Sequence, residues 1–311
     1  MRASGPKGCK VTVVMTTRDR KELADRALAS ALNQTLADVE VIVVDDGSSE
    51  PYIPPTNDER VTVLRNETSL GPSAARNRAL GRARGEWVMF LDDDDVLVPH
   101  MLEVSVEAAE KADLPKPVAA LSGAQIVRPD GEVLRTRLPP TLPRGRHFFL
   151  EDLNGDVSFQ THATLVAPTE VVRQIGGWDE SLPASEHDDF FLRLNAVCSI
   201  VGVSEVTYQI TAHTGPRLSK AVLERAEGMA KTVVKHRAVF AQHPRRYARY
   251  LRTIGITYLR AGKWGPAIAA TSRALVVYPL DARSIVWWMA SLIGPRPIAF
   301  VRRLKGRRSP A

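Results

Sequence analysis

The chain has 311 residues, of which 44 % are hydrophobic and 25 % are charged, a composition typical of a globular enzyme. Cys9 and Cys198 share no metal-binding or redox spacing, which argues against a disulfide scaffold or a zinc site. No stretch approaches the roughly 20 apolar residues of a membrane span, and the N-terminus lacks the apolar core of a signal peptide. We therefore expect a reducing, cytoplasmic setting.

The net charge of +7 is unevenly distributed along the chain. Residues 1–211 carry a net charge of −10, whereas residues 212–311 carry +17. Such an asymmetry indicates two parts with different surroundings, and the basic part favours an anionic neighbour.

Short apolar runs alternate with amphipathic segments through the first hundred residues. The runs at 11–15, 39–44, 61–64 and 87–91 predict buried strands, and helices are expected after the first, third and fourth of them. This alternation predicts βαβ units and a mostly parallel sheet. The pattern then predicts, in order, strands and loops over 115–150, a strand at 164–167, a helix at 168–175, a helix at 190–196, strands at 201–206 and 208–210, and helices from about residue 220.

Four consecutive carboxylates, Asp92 to Asp95, follow the apolar run Trp87 to Leu91. The carboxyl end of a parallel strand faces the crevice where open α/β sheets bind ligands. Adjacent negative charges repel one another unless a cation neutralises them, and oxygen ligands suit Mg²⁺ or Mn²⁺. The alternative is a solvated acidic turn.

Five stretches within residues 11–219 together resemble the family-two inverting glycosyltransferases, which have the GT-A fold and use nucleotide-sugar donors. They are VTVVMTTRDR at 11–20, DDGS at 45–48, the G-xx-AARN helix at 71–77, LDxDDxxxP at 91–99 and GGWDE at 176–180. Thr16 stands where the family has proline. The resemblance implies an α/β catalytic domain of the GT-A type (Rossmann-like βαβ units, mostly parallel sheet) over residues 8–219. An all-helical extension would follow over residues 220–311.

The resemblance also implies roles for individual residues. Asp94 would bind a divalent cation, Mn²⁺ or Mg²⁺, that bridges the donor diphosphate, with help from His213, which begins a segment similar to the family's HxGxxS. The donor-binding residues would be Thr16, Arg18, Asp45, Asp46, Arg76, Asp92 and Asp93. The residues themselves leave alternatives open: Asp45 and Asp46 could cap the turn at Gly47, Arg76 could pair with the acidic run or lie inert on a surface, and His213 could be an ordinary loop residue.

The position of the catalytic base departs from the family pattern. The family has Glu-Asp-x-Asp, and the same register here reads Glu186-His187-Asp188-Asp189. His187 would remove the proton of the acceptor hydroxyl, because an imidazole titrates near neutrality and nearby carboxylates raise its basicity. Asp188 is the alternative base, and Asp189 is expected to begin the following helix. By the same resemblance Trp178, Asp179 and Glu186 would lie on the acceptor side.

The last part of the chain matches the spacing of one tetratricopeptide repeat. The matching residues are Gly255, Tyr258, Gly262, Ala267, Ala274, Leu275 and Pro279, whereas Leu251 and Thr271 depart from the repeat. Because one repeat cannot bury its face alone, we expect a helical hairpin packed on the catalytic domain or on neighbouring helices.

Trp287 and Trp288 lie close to many basic residues, which favours attachment to an anionic membrane surface. The basic residues are Arg283, Arg296, Arg302, Arg303, Lys305, Arg307 and Arg308. The alternative is a core helix followed by a solvated basic tail. No nucleic-acid-binding module accompanies the charge, so we expect no nucleic-acid partner.

The expected function is an inverting, metal-dependent glycosyltransferase. It would move a sugar from a nucleotide-sugar donor, a UDP-sugar by expectation, to a glycan or lipid-linked acceptor in bacterial cell-surface polysaccharide synthesis. It would act in the cytoplasm, on the inner face of the plasma membrane. The alternative, favoured by the histidine at position 187, is a catalytically silent GT-A domain that binds a nucleotide sugar or scaffolds a membrane assembly.

Overall fold

A computed structural model describes residues 9–128, 130–151, 163–211 and 222–293. The described residues form nine strands and ten helices, and the chain divides into two compact units. The first unit comprises Met1–Phe148, Asp152–Glu180 and Phe190–Thr214, and the second comprises Phe149–Glu151, Ser181–Asp189 and Gly215–Ala311. The second unit therefore adds the segment Ser181–Asp189 to the C-terminal helices, whereas the predicted domain boundary lies after residue 219.

The first unit contains all the described strands. They are β1 (Val11–Thr17), β2 (Val39–Asp46), β3 (Val61–Asn66), β4 (Trp87–Asp92), β5 (Val96–Leu97), β6 (Val118–Val127), β7 (Val133–Arg137), β8 (Leu165–Pro168) and β9 (Ser199–Thr211). The helices between them are α1 (Lys21–Leu32), α2 (Pro72–Leu80), α3 (Met101–Lys111), α4 (Thr169–Gln174) and α5 (Glu186–Val197). The predicted alternation of strands and helices over the first hundred residues is confirmed.

All nine strands belong to one sheet, in the order β3-β2-β1-β4-β8-β6-β9-β5, with β7 paired to β6. The longest pairings are parallel: β1 with β2, β1 with β4, β2 with β3, and β6 with β9. Thr16 lies opposite both Val44 and Asp92 in this register, and Thr17 lies opposite Asp45. The carboxyl ends of β1, β2 and β4 therefore meet at one edge of the sheet, which gathers three of the sequence motifs there.

The core explains why these strands are continuous apolar runs. Val13, Met15, Val41, Val43 and Met89 are fully buried in the main hydrophobic cluster. A parallel strand covered on both faces has no solvent-facing positions, so it lacks the alternation seen in half-exposed strands. The sheet is thus a rigid platform beneath the polar edge.

Two local predictions need correction. Helix α5 begins at Glu186 and not at Phe190, so that Glu186, Asp188 and Asp189 all lie in its first turn, where carboxylates interact favourably with the helix dipole. The two strands predicted at 201–206 and 208–210 are one strand, β9, whose register against β6 shifts around Gly123. The irregular register interrupts the alternation of side chains along β9. The sequence pattern is interrupted at the same place, which is why two strands were predicted.

The second unit is helical, as predicted. It contains α6 (Val222–Lys235), α7 (Arg237–Ala241), α8 (Pro244–Arg260), α9 (Trp264–Val277) and α10 (Ala282–Ile293). Helices α8 and α9 form the expected hairpin, and α8 also packs against α6 and α10. The hairpin is tight, because a Cβ atom on Gly255 would lie 2.5 Å from Thr271 Cγ2.

Among the described helices, none is both long and apolar enough to cross a membrane. His213, Gly215 and Ser219, and the tail that carries Arg296 to Arg308, lie outside the described residues.

Candidate active site

Three carboxylates at the end of β4 could share one cation. Oxygen atoms of Asp92, Asp94 and Asp95 all lie within 4.8 Å of one another. Asp95 is buried, and its Oδ2 accepts a hydrogen bond of 2.7 Å from the Tyr208 hydroxyl on β9. A set of hard oxygen ligands fits Mg²⁺ or Mn²⁺. Sequence reasoning chose Asp94 for this role and missed the orienting contact from Tyr208, which is 113 positions away in the sequence.

Asp93 joins the acidic run to the end of β1. Its Oδ2 accepts a hydrogen bond of 2.8 Å from Thr17 Oγ1, and its Oδ1 accepts one of 3.1 Å from Arg20 Nη1. Burial raises the pKa of Asp93 to about 6, against the opposing effects of the Thr17 hydrogen bond and the Arg20 charge. Arg20 also lies 3.6 Å from Asp94 Oδ2. Asp93 was predicted to bind the donor. In this structure its carboxylate connects the acidic run to Thr17 and Arg20.

Arg20 was not among the predicted site residues. It is the last residue of the first motif. The sequence feature that could have indicated a role for it is its position just after β1, where a cation can reach the end of the neighbouring strand. Because it contacts both Asp93 and Asp94, it partly neutralises the acidic run. A cationic side chain here lowers the repulsion that four adjacent carboxylates would otherwise feel.

Arg76, from the AARN motif on α2, is aimed at the acidic run. Its side chain is 6 % exposed, and its Nη2 donates a hydrogen bond of 2.9 Å to Asp92 Oδ1. The guanidinium carbon lies 4.7 Å from the centre of the Trp178 ring, close enough for a cation–π interaction. The sequence left open whether Arg76 binds phosphate, pairs with the acidic run or lies inert on a surface. In this structure it pairs with the acidic run and is buried.

Trp178, which stays a predicted residue of the acceptor side, is buried and packs against Arg76. Its ring is 1 % exposed, stacks on Phe190 with ring centres 4.3 Å apart, and meets the Phe90 ring edge-on at 5.1 Å. In this structure the tryptophan ring packs against the Arg76 guanidinium and is not exposed to solvent. Asp179, the next residue, is half-buried.

Asn77 links the AARN helix to the GGWDE segment. Its amide donates hydrogen bonds of 2.8 Å to the Trp178 carbonyl and 2.7 Å to Glu180 Oε1, and its Oδ1 accepts one of 2.8 Å from the Trp178 amide. Gly177 has φ of +62°, and a Cβ atom there would lie 2.4 Å from Asn77 Oδ1. The glycine is needed both for its backbone conformation and for the close approach of Asn77.

Asp45 is a turn-capping residue in this structure. It accepts hydrogen bonds of 2.9 Å from the amides of Ser48 and Tyr52 and one of 2.6 Å from Arg65 Nη1. Burial alone would raise its pKa, but these hydrogen bonds outweigh it, and the pKa of Asp45 lies below its ordinary value. Its carboxylate is therefore charged, and its hydrogen bonds hold the loop that follows β2.

Asp46 binds the loop that leads into α2. Its Oδ1 accepts hydrogen bonds from Asn66 Nδ2 at 2.7 Å and the Leu70 amide at 2.9 Å. Its Oδ2 accepts hydrogen bonds from Ser69 Oγ at 2.7 Å and the Gly71 amide at 3.0 Å. Burial opposes ionisation, yet these donors hold the pKa of Asp46 below its usual value.

A cavity of about 230 Å³ lies beside these loops, at the carboxyl ends of β1 and β2. Its lining residues are Thr17, Asp19, Arg20, Lys21, Glu22, Ser48, Ser49, Glu50, Pro51 and Tyr52. Asp19 and Ser49 join its two sides, since Asp19 Oδ1 accepts hydrogen bonds of 2.7 Å from both the amide and the hydroxyl of Ser49. Of the predicted donor-binding residues nearby, Arg18 is exposed and Thr16 is half-buried.

In the second unit, His187 and Asp188 form a hydrogen-bonded pair. His187 Nε2 lies 3.1 Å from Asp188 Oδ1, and the hydroxyl of Tyr250, on α8, donates a short hydrogen bond to Asp188 Oδ2. Burial lowers the pKa of His187, but the charges of Asp188 and Glu186 and the hydrogen bond to Asp188 outweigh burial and Arg225, and the net pKa is raised. Burial and Asp188 also raise the pKa of Tyr250 well above its ordinary value, so the phenol stays a donor.

Asp189 has a structural role in the second unit. Its side chain is fully buried, and its Oδ1 lies 2.7 Å from His236 Nε2 and 2.9 Å from Lys235 Nζ. These contacts join the first turn of α5 to the end of α6. Glu186, at the start of the same turn, is half-buried.

One sequence family matches the N-terminal part of the chain. The sequence profile of glycosyl transferase family 2 matches residues 12–159, the part that carries the first four motifs and the acidic run. Residues 12–159 are therefore similar to glycosyl transferase family 2. Its ExoO relative, a succinoglycan biosynthesis protein of Rhizobium meliloti, is 35 % identical over 144 residues, which is 43 % of this chain and 40 % of that protein.

A second relative is the GalNAc(5)-diNAcBac-PP-undecaprenol beta-1,3-glucosyltransferase of Campylobacter jejuni. It is 34 % identical over 108 residues, which is 33 % of this chain and 35 % of that protein. The chain spans between 30 % and 63 % of the length of the curated relatives it matches.

The fold is similar to that of S. aureus TarS, a protein crystallised with UDP-GlcNAc. The TM-score is 0.55 at 20 % identity, over 91 % of this chain and 79 % of the TarS chain. The likeness extends over both units and confirms the predicted fold class, a GT-A domain followed by helices.

Proposed function

We propose that this protein is an inverting glycosyltransferase that uses a UDP-sugar donor and a divalent cation. The observation that carries the proposal is the group of carboxylate oxygens of Asp92, Asp94 and Asp95, within 4.8 Å of one another, with Arg76 hydrogen-bonded to Asp92. A cation bound there would act as a Lewis acid on the donor diphosphate and stabilise the leaving group. The UDP-GlcNAc bound by TarS supports a uridine donor.

In the proposed reaction the acceptor hydroxyl oxygen bonds to the anomeric carbon as the bond to the diphosphate breaks. The diphosphate leaves with the bonding electrons, and the hydroxyl proton passes to a base of the protein. Attack from the face opposite the leaving group inverts the anomeric carbon. Arg76, rigidly held over Trp178, would add positive charge near the diphosphate.

We propose His187 as the base, with Asp188 as the residue that orients it. Asp188 is bound through both carboxylate oxygens, one to His187 and one to Tyr250. A carboxylate held in this way fixes the tautomer and orientation of its histidine and stabilises the imidazolium that forms. The alternative is that Asp188 itself takes the proton.

We propose that the acceptor is a glycan or a lipid-linked glycan of a bacterial surface polysaccharide, met at the inner face of the plasma membrane. The support is the names of the relatives: one acts in succinoglycan biosynthesis, and another transfers glucose to an undecaprenol-linked acceptor. The second candidate is a domain that binds a nucleotide sugar without transferring it, which the histidine in the family's base position favours.

The test is release of UDP from a panel of UDP-sugars, with and without Mn²⁺. We expect slow Mn²⁺-dependent hydrolysis by the wild type and its loss in Asp94→Ala, while Asp113→Ala, which removes an exposed carboxylate elsewhere, leaves it unchanged. Hydrolysis that survives in Asp94→Ala, or that needs no divalent cation, would refute the metal role. Donor binding without any turnover would favour the silent domain.

The base is tested by pH profiles. His187→Ala should lower turnover by roughly 10² to 10⁴ with donor affinity retained. A protonated imidazole cannot accept a proton, so wild-type turnover should fall as the pH drops through the raised pKa of His187. Asp188→Asn removes the charge that raises this pKa, and the acid limb should move to lower pH while Glu186, Arg225 and Tyr250 remain. If Asp188→Asn abolishes turnover and His187→Ala does not, Asp188 is the base.

A further inference from the structure

Helix α10 has its polar side chains inside and its apolar side chains outside. Ser284 and Ser291 are buried, whereas Ile285, Val286, Met289, Leu292 and Ile293 are 40–69 % exposed. At 100° per residue these five fall on one side of the helix, opposite the two serines. We call these five residues the α10 stripe. A surface helix in water normally shows the reverse arrangement.

The buried side of α10 is held by hydrogen bonds and so has a fixed orientation. Ser284 Oγ donates to Asp281 Oδ2 at 2.7 Å, and the oxygens of Ser291 and Thr271 lie 3.2 Å apart. Trp288 Nε1 donates to Ser272 Oγ at 3.0 Å. The helix cannot rotate to bury its apolar side without breaking these contacts, so the α10 stripe is a stable feature of this unit.

Basic residues lie near the beginning of the α10 stripe, and more of them follow it in the sequence. At its beginning, Arg249 and Arg283 lie close enough to Arg252 to oppose its charge: burial and these two cations lower the pKa of Arg252, against the effect of Asp281. Beyond its end, the sequence continues with Arg296, Arg302, Arg303, Lys305, Arg307 and Arg308. Residues 222–293 contain 12 Lys+Arg and 3 Asp+Glu, a net charge of +9.

We infer that the α10 stripe docks on a membrane surface that contains anionic lipid, with the helix lying in the plane of the interface. Aliphatic side chains would enter the boundary between headgroups and acyl chains, and the flanking cations would pair with lipid phosphates. A second copy of this chain is a poorer occupant, because it would bring two surfaces of strong positive charge together. The sequence prediction depended on Trp287 and Trp288, which are half-buried. In the present inference the residues of the α10 stripe contact the membrane.

Co-sedimentation of the full chain with vesicles tests this inference. The full chain should bind vesicles of an equal mixture of phosphatidylglycerol and phosphatidylcholine, and should not bind vesicles of phosphatidylcholine alone. Binding should weaken when salt rises from roughly 0.1 M to roughly 1 M, which shortens the Debye length from about 10 Å to about 3 Å.

Substitutions separate the apolar and the charged contributions. The double variant Leu292→Ser, Ile293→Ser should lower the partition coefficient at least about tenfold. Its matched control, Ile53→Ser with Val234→Ser, removes side chains that are 70 % and 71 % exposed elsewhere and should change nothing. Arg249→Gln with Arg283→Gln, both exposed, should weaken binding by roughly tenfold to thirtyfold, whereas Arg26→Gln with Arg82→Gln, both exposed in the first unit, should not.

Three results would overturn the inference. The first is equal binding to neutral and anionic vesicles. The second is unchanged binding by the double variant Leu292→Ser, Ile293→Ser. The third is a lipid-free dimer of the wild type that this double variant fails to form. The last result would identify a second copy of the chain as the occupant. Donor hydrolysis, measured on the same variants without vesicles, should stay at the wild-type level, so that this inference and the proposed transferase activity are tested separately.

Discussion

The contact between Asn77 and Gly177 predicts a strong energetic coupling between two distant motifs. Asn77→Ala removes the hydrogen bonds that its side chain makes with the Trp178 amide and carbonyl, both of them part-buried. Losing a hydrogen bond of this kind costs about 0.5–1.5 kcal/mol, so with two of them lost the variant should lose about 1–3 kcal/mol of unfolding free energy. The bond to Glu180 adds little, because Glu180 is exposed.

Gly177→Ala should be destabilising for two reasons. Alanine at φ of +62° costs roughly 1–2 kcal/mol in backbone energy. Its Cβ would also lie 2.4 Å from Asn77 Oδ1, so Asn77 must move and lose the same hydrogen bonds. In the double variant the asparagine is already absent, and only the backbone cost remains. The double variant should therefore be more stable than the sum of the two single changes predicts, by about 2 kcal/mol.

Urea unfolding of the wild type, both single variants and the double variant measures this coupling. The neighbouring glycine supplies the control: Gly176 has φ of +83°, and a Cβ atom added to it would meet nothing within 4 Å beyond its chain neighbours. Gly176→Ala should cost only the backbone energy and should add to Asn77→Ala without coupling. Additivity of Gly177→Ala and Asn77→Ala within about 0.5 kcal/mol would refute the proposed clash.

Three further predictions concern the hairpin, the DDGS turn and the base. Gly255→Leu should destabilise the helical unit by about 1–3 kcal/mol, because its Cβ would lie 2.5 Å from Thr271 Cγ2, whereas Gly265→Ala, with open space around it, should be neutral or stabilising in the same thermal unfolding assay. Asp45→Asn should lower the unfolding free energy at neutral pH. The difference from wild type should shrink as the pH falls below about 4, since the lowered pKa of Asp45 makes its contribution present above the unfolded-state pKa and lost on protonation. Tyr250→Phe should lower kcat more than it changes KM, because it removes the donor that holds Asp188, and an unchanged kcat would show that Asp188 needs no such support.

The alternation of strands and helices could be predicted because each buried strand is a continuous apolar run. The same logic placed the polar motifs at the carboxyl ends of β1, β2 and β4, where the parallel register brings them together. The strand predicted at 164–167 is present as β8, but its antiparallel direction and its place between β4 and β6 could not be predicted, because nothing in a short apolar run specifies its neighbours in a sheet.

The contacts that hold the site together were also beyond the sequence. Tyr208 reaches Asp95 across 113 positions, and Asn77 reaches Trp178 across 101. A spacing pattern reports the periodicity of one segment, and these contacts depend on how distant segments meet. The reversed polarity of α10 was hidden for a similar reason, since an apolar helix reads the same in the sequence whichever side is buried.

The saturation of Asp46 limits how the DDGS motif can recognise a donor. A carboxylate has about four acceptor positions, and Asp46 uses two on each oxygen for Asn66, Ser69, Leu70 and Gly71. The base of a nucleotide-sugar donor could donate a hydrogen bond to Asp46 only by displacing one of these four. Since three of them belong to residues 69–71, which lead directly into α2, such a displacement would move the start of the helix that carries Arg76. Base recognition through Asp46 would therefore be coupled to the position of Arg76, the residue that we propose faces the donor diphosphate.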